Sequence, residues 1–267
     1  MKKINILFAL AAALVAVNAV AQGYTRIQFN FAPQVMEIKD VVLESGENAQ
    51  VGWEGAQLST PGFGLGIIKG IAISENNPLF LELGGNLTFL HKKGEDSSNE
   101  SYSYGSYSRT YTMKYNFFNI SIPVNLAYRI NVADAFSIQP FAGLNMKVNI
   151  LGKAQYDYNV KYSTKYGSDS DSGSYDLDFF AKTKVDDNYE QYFFGESDDH
   201  KANRFQLGLN IGCGFNIAKI LYVGYTFQPD LVKYSNAAYY DYDGHDEIEK
   251  TYKVKTRSNV ITVGINF

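Results

Sequence analysis

Between Tyr115 and Ile130 the chain reads YNFFNISIPVNLAYRI, and alternate positions differ in kind. Phe118, Ile120, Ile122, Val124, Leu126, Tyr128 and Ile130 share one face. Asn119, Ser121, Pro123, Asn125, Ala127 and Arg129 share the other. A period of two over this length is a β-strand with one apolar and one polar face. It exceeds the ~5–6 residues of an ordinary globular strand and reaches the ~9–11 that a tilted strand needs to cross a bilayer. Pro123 removes one ladder donor without breaking the alternation.

The pattern recurs over Tyr24–Phe31, Phe63–Ile73, Leu79–Phe89, Phe136–Ile150, Phe205–Ile217, Leu221–Leu231 and Thr256–Phe267. Lys69 interrupts the apolar face of Phe63–Ile73, which implies either a bulge that shifts the register or a lysine near an interface. Alternation also extends the central strand back through Tyr107–Lys114, and carries the strand from Phe136 onward through Tyr156, Tyr158, Val160, Tyr162 and Tyr166. The connections run long, short, long, short, long, short, long. The short ones are Ser74–Pro78, Asn131–Ala135 and Ala218–Ile220. The long ones are Ala32–Pro61 (with Trp53 and a short strand near Val35–Val42), His91–Ser106, Gly167–Asn203 and Lys233–Lys250. This asymmetry predicts an all-β fold: an eight-stranded antiparallel up-and-down transmembrane β-barrel with short periplasmic turns and long extracellular loops. Lipid forces closure, because an open edge would leave backbone groups unsatisfied. A soluble barrel of the lipocalin kind is the rival, with its apolar face turned inward around a ligand. The polar faces here are rich in Gly, Asn and Ser, which suit a narrow lumen, and the Leu, Ile, Val and Phe faces suit lipid.

The chain begins with Lys2 and Lys3, an apolar run from Ile4 to Val17, and Ala19-Val20-Ala21. This predicts a signal peptide over residues 1–21, cleaved after Ala21, and a barrel domain over residues 22–267 in the outer membrane. Losing the two lysines takes the net charge from −4 to −6. An acidic chain with pI near 5.5 is no partner for nucleic acid. The single Cys213 excludes an intrachain disulfide framework and reads as a small apolar side chain on a strand face.

Four stretches carry a family resemblance: FNISIPVNLAYRI (Phe118–Ile130), SIQPFAGLNMKV (Ser137–Val148), RFQLGLNIGCGFNI (Arg204–Ile217) and NVITVGINF ending at Phe267. Together they resemble the small outer-membrane β-barrel proteins labelled "porin family" or PorT-like, over essentially the whole chain after the leader. The resemblance implies the barrel fold and the location. It also implies that Phe267 is read by barrel-assembly machinery, and that the protein is an accessory part of envelope secretion or assembly. Fold alone does not assign a function.

An eight-stranded barrel is just wide enough for side chains to fill it. Arg26, Glu82, Arg129, Lys147, Arg204 and Asp230 fall on polar faces, and are expected to pair as a lumenal charge network that plugs the barrel. A narrow porin-like channel for ions or small solutes is the alternative. The long loops carry Tyr156, Tyr158, Tyr162, Tyr239, Tyr240 and Tyr242 among Ser, Gly, Asn and Asp, a mixture that suits binding surfaces. These six are the expected contact surface for an extracellular ligand or envelope protein, and outer-membrane lipid is the expected surroundings. Asp169 with Asp171, Asp186 with Asp187, and Asp241, Asp243, Asp246 and Glu247 have the chemistry of calcium ligands, but the last group lacks the EF-hand spacing. They read as solvated loop charge. His91, His200 and His245 all lie in loops, and no motif marks a nucleophile beside them. No catalytic, metal or cofactor site is expected, and the chain is not read as an enzyme.

Overall fold

A computed structural model describes residues 23–43, 57–74, 77–180, 202–232, 234–242 and 247–267. The proposed leader, Trp53, Asp186, Asp187, His200, Asp243, His245 and Asp246 lie outside the described residues. Thirteen strands form one sheet among those described. Eight make the barrel wall: β1 (Gly23–Phe31), β4 (Gly62–Ser74), β5 (Asn77–Tyr102), β6 (Gly105–Tyr128), β8 (Phe136–Thr164), β10 (Phe205–Ile217), β11 (Leu221–Pro229) and β13 (Glu247–Asn266). They follow one another as antiparallel neighbours in that order. β1 then pairs with β13, from Arg26–Asn266 to Phe31–Ile261, and closes the ring.

The burial of each strand follows its sequence alternation. In β1, Tyr24, Arg26, Gln28 and Asn30 are buried in the lumen while Ile27 and Phe29 are exposed outside. The outer surface is a continuous apolar band, including Leu65, Ile67, Leu87, Leu126, Leu144, Ile211, Val263 and Ile265. Water does not tolerate a surface of this kind, whereas hydrocarbon requires it. Aromatic pairs sit at its two rims: Phe31 against Phe63 (5.3 Å) at the long-loop end, and Phe136 against Phe215 (6.0 Å) at the short-turn end.

Lys69 resolves without a bulge. β4 stays in register with β1 through Thr25–Lys69 and with β5 through Lys69–Leu83. Lys69 points outward near the short-turn rim, where its ammonium donates to the Thr25 hydroxyl at 3.3 Å.

The other five strands lie in the connections; one matches the short strand expected near Val35–Val42, and three correct the expectation of irregular loops. The connection 91–106 is a hairpin: β5 and β6 stay paired to Tyr102–Gly105. β8 runs on to Thr164 and turns back as β9 (Gly167–Asp178). At the same end, β13 pairs with β12 (Ser235–Tyr242) on one side and β2 (Gln34–Leu43) on the other, and β3 (Gln57–Thr60) pairs with β2. Two sheets, β5-β6-β8-β9 and β12-β13-β2-β3, therefore stand above the barrel. The Ser, Thr and Tyr of these segments keep strict alternation and have good strand propensity, so backbone pairing continues where the apolar face stops. At the other end β7 (Ile130–Ala133) is a short strand against β8 within the expected turn.

Candidate functional site

Two regions carry chemistry: the lumen, and the sheets that stand above it.

In the half of the lumen nearer the short turns, Glu82 on β5 is fully buried and its carboxylate is saturated. Oε1 accepts from the Tyr24 hydroxyl, from Arg26 Nη2 at 3.1 Å and from Gln139 Nε2 at 3.0 Å; Oε2 accepts from Asn125 Nδ2 at 3.3 Å. The Arg26 guanidinium lies 3.7 Å from the ring centroid of Tyr222. Tyr222 fits because the β-positions beside it are empty: a Cβ on Gly214 would come within 2.2 Å of its ring. Amides spread the network around the wall. Asn216 Nδ2 donates to Gln139 Oε1 at 3.0 Å, Asn266 Nδ2 to Asn216 Oδ1 at 2.9 Å, and Asn210 Nδ2 to Asn125 Oδ1 at 3.0 Å.

Nearer the long-loop end, Lys147 Nζ meets Asp230 Oδ2 at 2.6 Å, and the Thr256 hydroxyl donates to the same oxygen. Between the two ion pairs is a cavity of about 50 Å³, lined by Gln28, Asn30, Asn86, Asn210 and Thr262 among others. It has room for no more than a few waters.

Above the second pair an apolar cluster closes the mouth. Leu90 and Phe117, the last inward positions of β5 and β6 within the ring, pack with Met36, Phe180, Ala202 and Tyr234 from the segments overhead. Leu58, Tyr115, Phe179 and Val254 pack around them. Burial first, then the nearby Asp178 carboxylate, pushes the Tyr234 hydroxyl well above the ordinary phenol range. The lumen is therefore shut twice, by charge and amide contacts within and by apolar contacts at the mouth.

Four expected network residues stand in these pairs: Arg26 with Glu82, and Lys147 with Asp230. The other two do not. Arg129 lies at the short-turn mouth, two inward positions beyond Asn125, the Glu82 partner on β6, and its Nη2 donates to Gln139 Oε1 at 3.4 Å. Arg204 is a correction, because it is exposed at the long-loop end, outside the lumen. The last rung between β8 and β10 is Phe205–Val148, so β8 carbonyls just beyond it lack a strand partner. Arg204 Nη1 donates to two of them, Asn149 (3.3 Å) and Ile150 (2.9 Å), and the guanidinium lies over the Phe180 ring at 4.7 Å. Tyr24, Gln139 and Tyr222 were missed as network members. Their signal was only their place on the polar face of a strand.

On the β5-β6-β8-β9 sheet, strand register places Tyr107, Arg109, Tyr111, Met113 and Tyr115 on the face continuous with the lumen. Tyr162, Val160, Tyr158, Tyr156 and Ala154 stand opposite them on β8. Tyr107 meets Tyr162 at 5.0 Å between ring centroids, and Tyr111 stacks on Tyr156 at 5.7 Å. Asp96 and Glu100 on β5, and Asp169 and Asp171 on β9, flank the aromatic rows. The Tyr158 hydroxyl donates to Asp171 at 3.3 Å. Ser106, Ser108, Thr110, Asn159 and Ser172 lie on the opposite face, with Asp157 held by Lys114 at 3.0 Å. The Ser174 hydroxyl first, and Lys114 next, hold the Asp157 carboxyl below the ordinary carboxylate range. Sequence alternation had put Tyr156, Tyr158 and Tyr162 on one face. Tyr111 and Tyr115 join it because β6 is the neighbouring strand. Of Tyr239, Tyr240 and Tyr242 the structure describes the backbone in β12 and no side chain.

No family model matches the chain, and no curated protein matches it. Solved outer-membrane barrels do. Ail, the attachment invasion locus protein of Yersinia pestis, solved with the heparin analogue sucrose octasulfate, is 13% identical. The match covers 92% of this chain and 99% of Ail, with a TM-score of 0.30. Neisserial surface protein A is 10% identical over 92% of this chain and 97% of its own, with a TM-score of 0.36. An outer-membrane channel from Pseudomonas putida F1 is 10% identical over 93% and 97%, with a TM-score of 0.29. At these identities and overlaps nothing about this chain's role follows from theirs, and the barrel rests on its own strand pairing.

Proposed function

We propose that the chain is an integral outer-membrane protein whose barrel serves as an anchor and whose projecting sheets make contacts outside the cell. One observation carries this reading: the lumen is shut by buried ion pairs and an apolar cap, while strands beyond it remain paired for a dozen residues. From Leu90 to Tyr102 β5 rises roughly 40 Å at ~3.3 Å per residue. A sheet of that height is more than closing a barrel needs. Its tyrosine face offers rigid amphipathic area at low side-chain entropy, with Ser, Gly and Asp adaptable around it. The sealed lumen argues against the porin-like alternative. A role in envelope secretion or assembly is compatible with the same surface.

The placement is tested with Ser170→Cys on β9 and Asp134→Cys at a short turn. A membrane-impermeant maleimide should label the first on intact cells and the second only after lysis. The contact role is tested by displaying the barrel on liposomes and measuring their adhesion to cells of the same strain. Replacing Tyr107, Tyr111, Tyr158 and Tyr162 by Ser should abolish adhesion while leaving heat-modifiable gel mobility intact. Equal adhesion by both forms, or by bare liposomes, would remove the tyrosine face from the reading.

A further inference from the structure

The short-turn mouth of the barrel opens into a vestibule of about 890 Å³, lined by Tyr24, Phe80, Arg129, Ser137, Asn216 and Lys219 among others. Arg129 enters it from the break between β6 and β7, where its backbone N–H donates to the Pro78 carbonyl at 2.8 Å. The guanidinium packs against two neighbouring rings, with Cζ 4.7 Å from the centroids of both Tyr24 and Phe80. Those rings are themselves locked edge-to-face at 5.5 Å. The plate is thus positioned before any ligand arrives.

Its donors are nearly unused. A guanidinium carries five N–H donors. Here one long bond to Gln139 is made, and Nε is buried without a hydrogen-bond partner among the described residues. Glu82 cannot serve it, because both Glu82 oxygens already accept from Tyr24, Arg26, Gln139 and Asn125. Arg26 cancels Glu82, and among the described residues of the mouth Arg129 and Lys219 stand with Asp134 and the Phe267 carboxylate. A guanidinium with unused Nη donors, in a cavity open to water on one side, is matched by an oxyanion, which accepts two parallel N–H bonds from a guanidinium.

We propose that this vestibule is a binding site for a carboxylate- or phosphate-bearing solute, with Arg129 as the anchoring residue and Lys219 as a secondary cation. The ligand enters from the short-turn side and does not cross the barrel, since the Glu82 contacts close the lumen immediately behind Arg129. The inference is independent of any contact role for the projecting sheets.

The chain has five arginines, so side-chain Nε–Hε resonances are few and can be assigned by substitution. The protein in uncharged detergent is titrated with inorganic phosphate, and separately with acetate, at constant ionic strength. The Arg129 Nε–Hε signal should shift and saturate, with the other four moving little. Arg129→Gln, checked for heat-modifiable mobility, should abolish the saturable response seen at the remaining vestibule signals. Arg129→Lys should weaken it about tenfold, and Lys219→Gln a few-fold. A response that is linear and equal at all five arginines would overturn the site. So would a saturable response that survives Arg129→Gln. A second series replaces dissolved phosphate with bicelles containing phosphatidylglycerol. A shift seen only there would locate the anion in the lipid headgroups and overturn a lumenal solute site.

Discussion

Glu82 and Arg26 hold each other in the lumen at 3.1 Å, each almost fully shielded from solvent. Removing one charge of such a pair leaves the other buried and uncompensated, at a cost of about 3–5 kcal/mol. Glu82→Gln keeps the volume and loses the charge, so it should lower the temperature at which the unheated, fast-migrating gel form disappears. Replacing Lys147 and Asp230 together by Met and Leu removes both charges of the other pair. That double variant should keep most of the stability that either single change loses, since a well-packed apolar pair is often neutral by comparison. The turn at Ile217–Ile220 gives the opposite sign. Ala218 and Lys219 both have positive φ, at 52° and 65°, and the Ile220 N–H closes the turn on the Ile217 carbonyl. A non-glycine residue in this region costs about 1–2 kcal/mol. Ala218→Asn with Lys219→Gly should therefore raise the unfolding midpoint in urea by the equivalent of about 1 kcal/mol or more. The sequence marked this stretch as a turn, because it separates two alternating runs. It could not show that two ordinary residues bear the left-handed geometry, since no Gly or Asn announces it.

The strands within the apolar band were legible almost to the residue, because lipid outside and a polar lumen inside write opposite demands on alternate positions. Beyond the band that contrast fades. From His91 to Ser106 neither face is apolar, so a paired hairpin and an open loop look alike in composition. Alternation of Tyr with Ser and Thr was the surviving signal, and it was read for β6 and β8 but not for β5, β9 and β12. The mouth cluster was illegible for another reason. Met36, Leu90, Phe180 and Tyr234 come from four separate segments, and only the closed ring brings them together. Its tightness can be titrated through Tyr234. Burial and Asp178 raise this phenol above its ordinary 10.0, so the folded cluster favours the neutral form. That contribution is complete below the ordinary value and is lost as the pH climbs above it, where the unfolded segment ionises first. Protection factors against hydrogen exchange at Leu90 and Phe117, which remove the intrinsic base catalysis, should fall above about pH 10, and Tyr234→Phe should flatten the profile. Protection factors that do not change with pH in the unaltered protein would show that the hydroxyl does not report on the cluster.

Two closures in series make a stronger statement about the whole molecule than either makes alone. Opening the apolar mouth exposes Lys147 paired with Asp230; opening that pair leads only to a cavity of about 50 Å³ and then to the Glu82 contacts. Each step separates charges or uncovers apolar surface, so the states that would conduct lie several kcal/mol above the closed one. The protein in a planar bilayer should show no stable unit conductance at neutral pH. Glu82→Gln alone should not create one, because the cap and the second pair remain. Combining Glu82→Gln with Asp230→Asn and Phe117→Ser breaches both ion pairs and the apolar cap, and should produce flickering events while the heated and unheated gel forms still differ. A steady conductance in the unaltered protein would mean that the closures exchange rapidly with an open state. In that case the projecting sheets would read as the walls of an entrance, and the tyrosine face as the surface a solute meets on its way in.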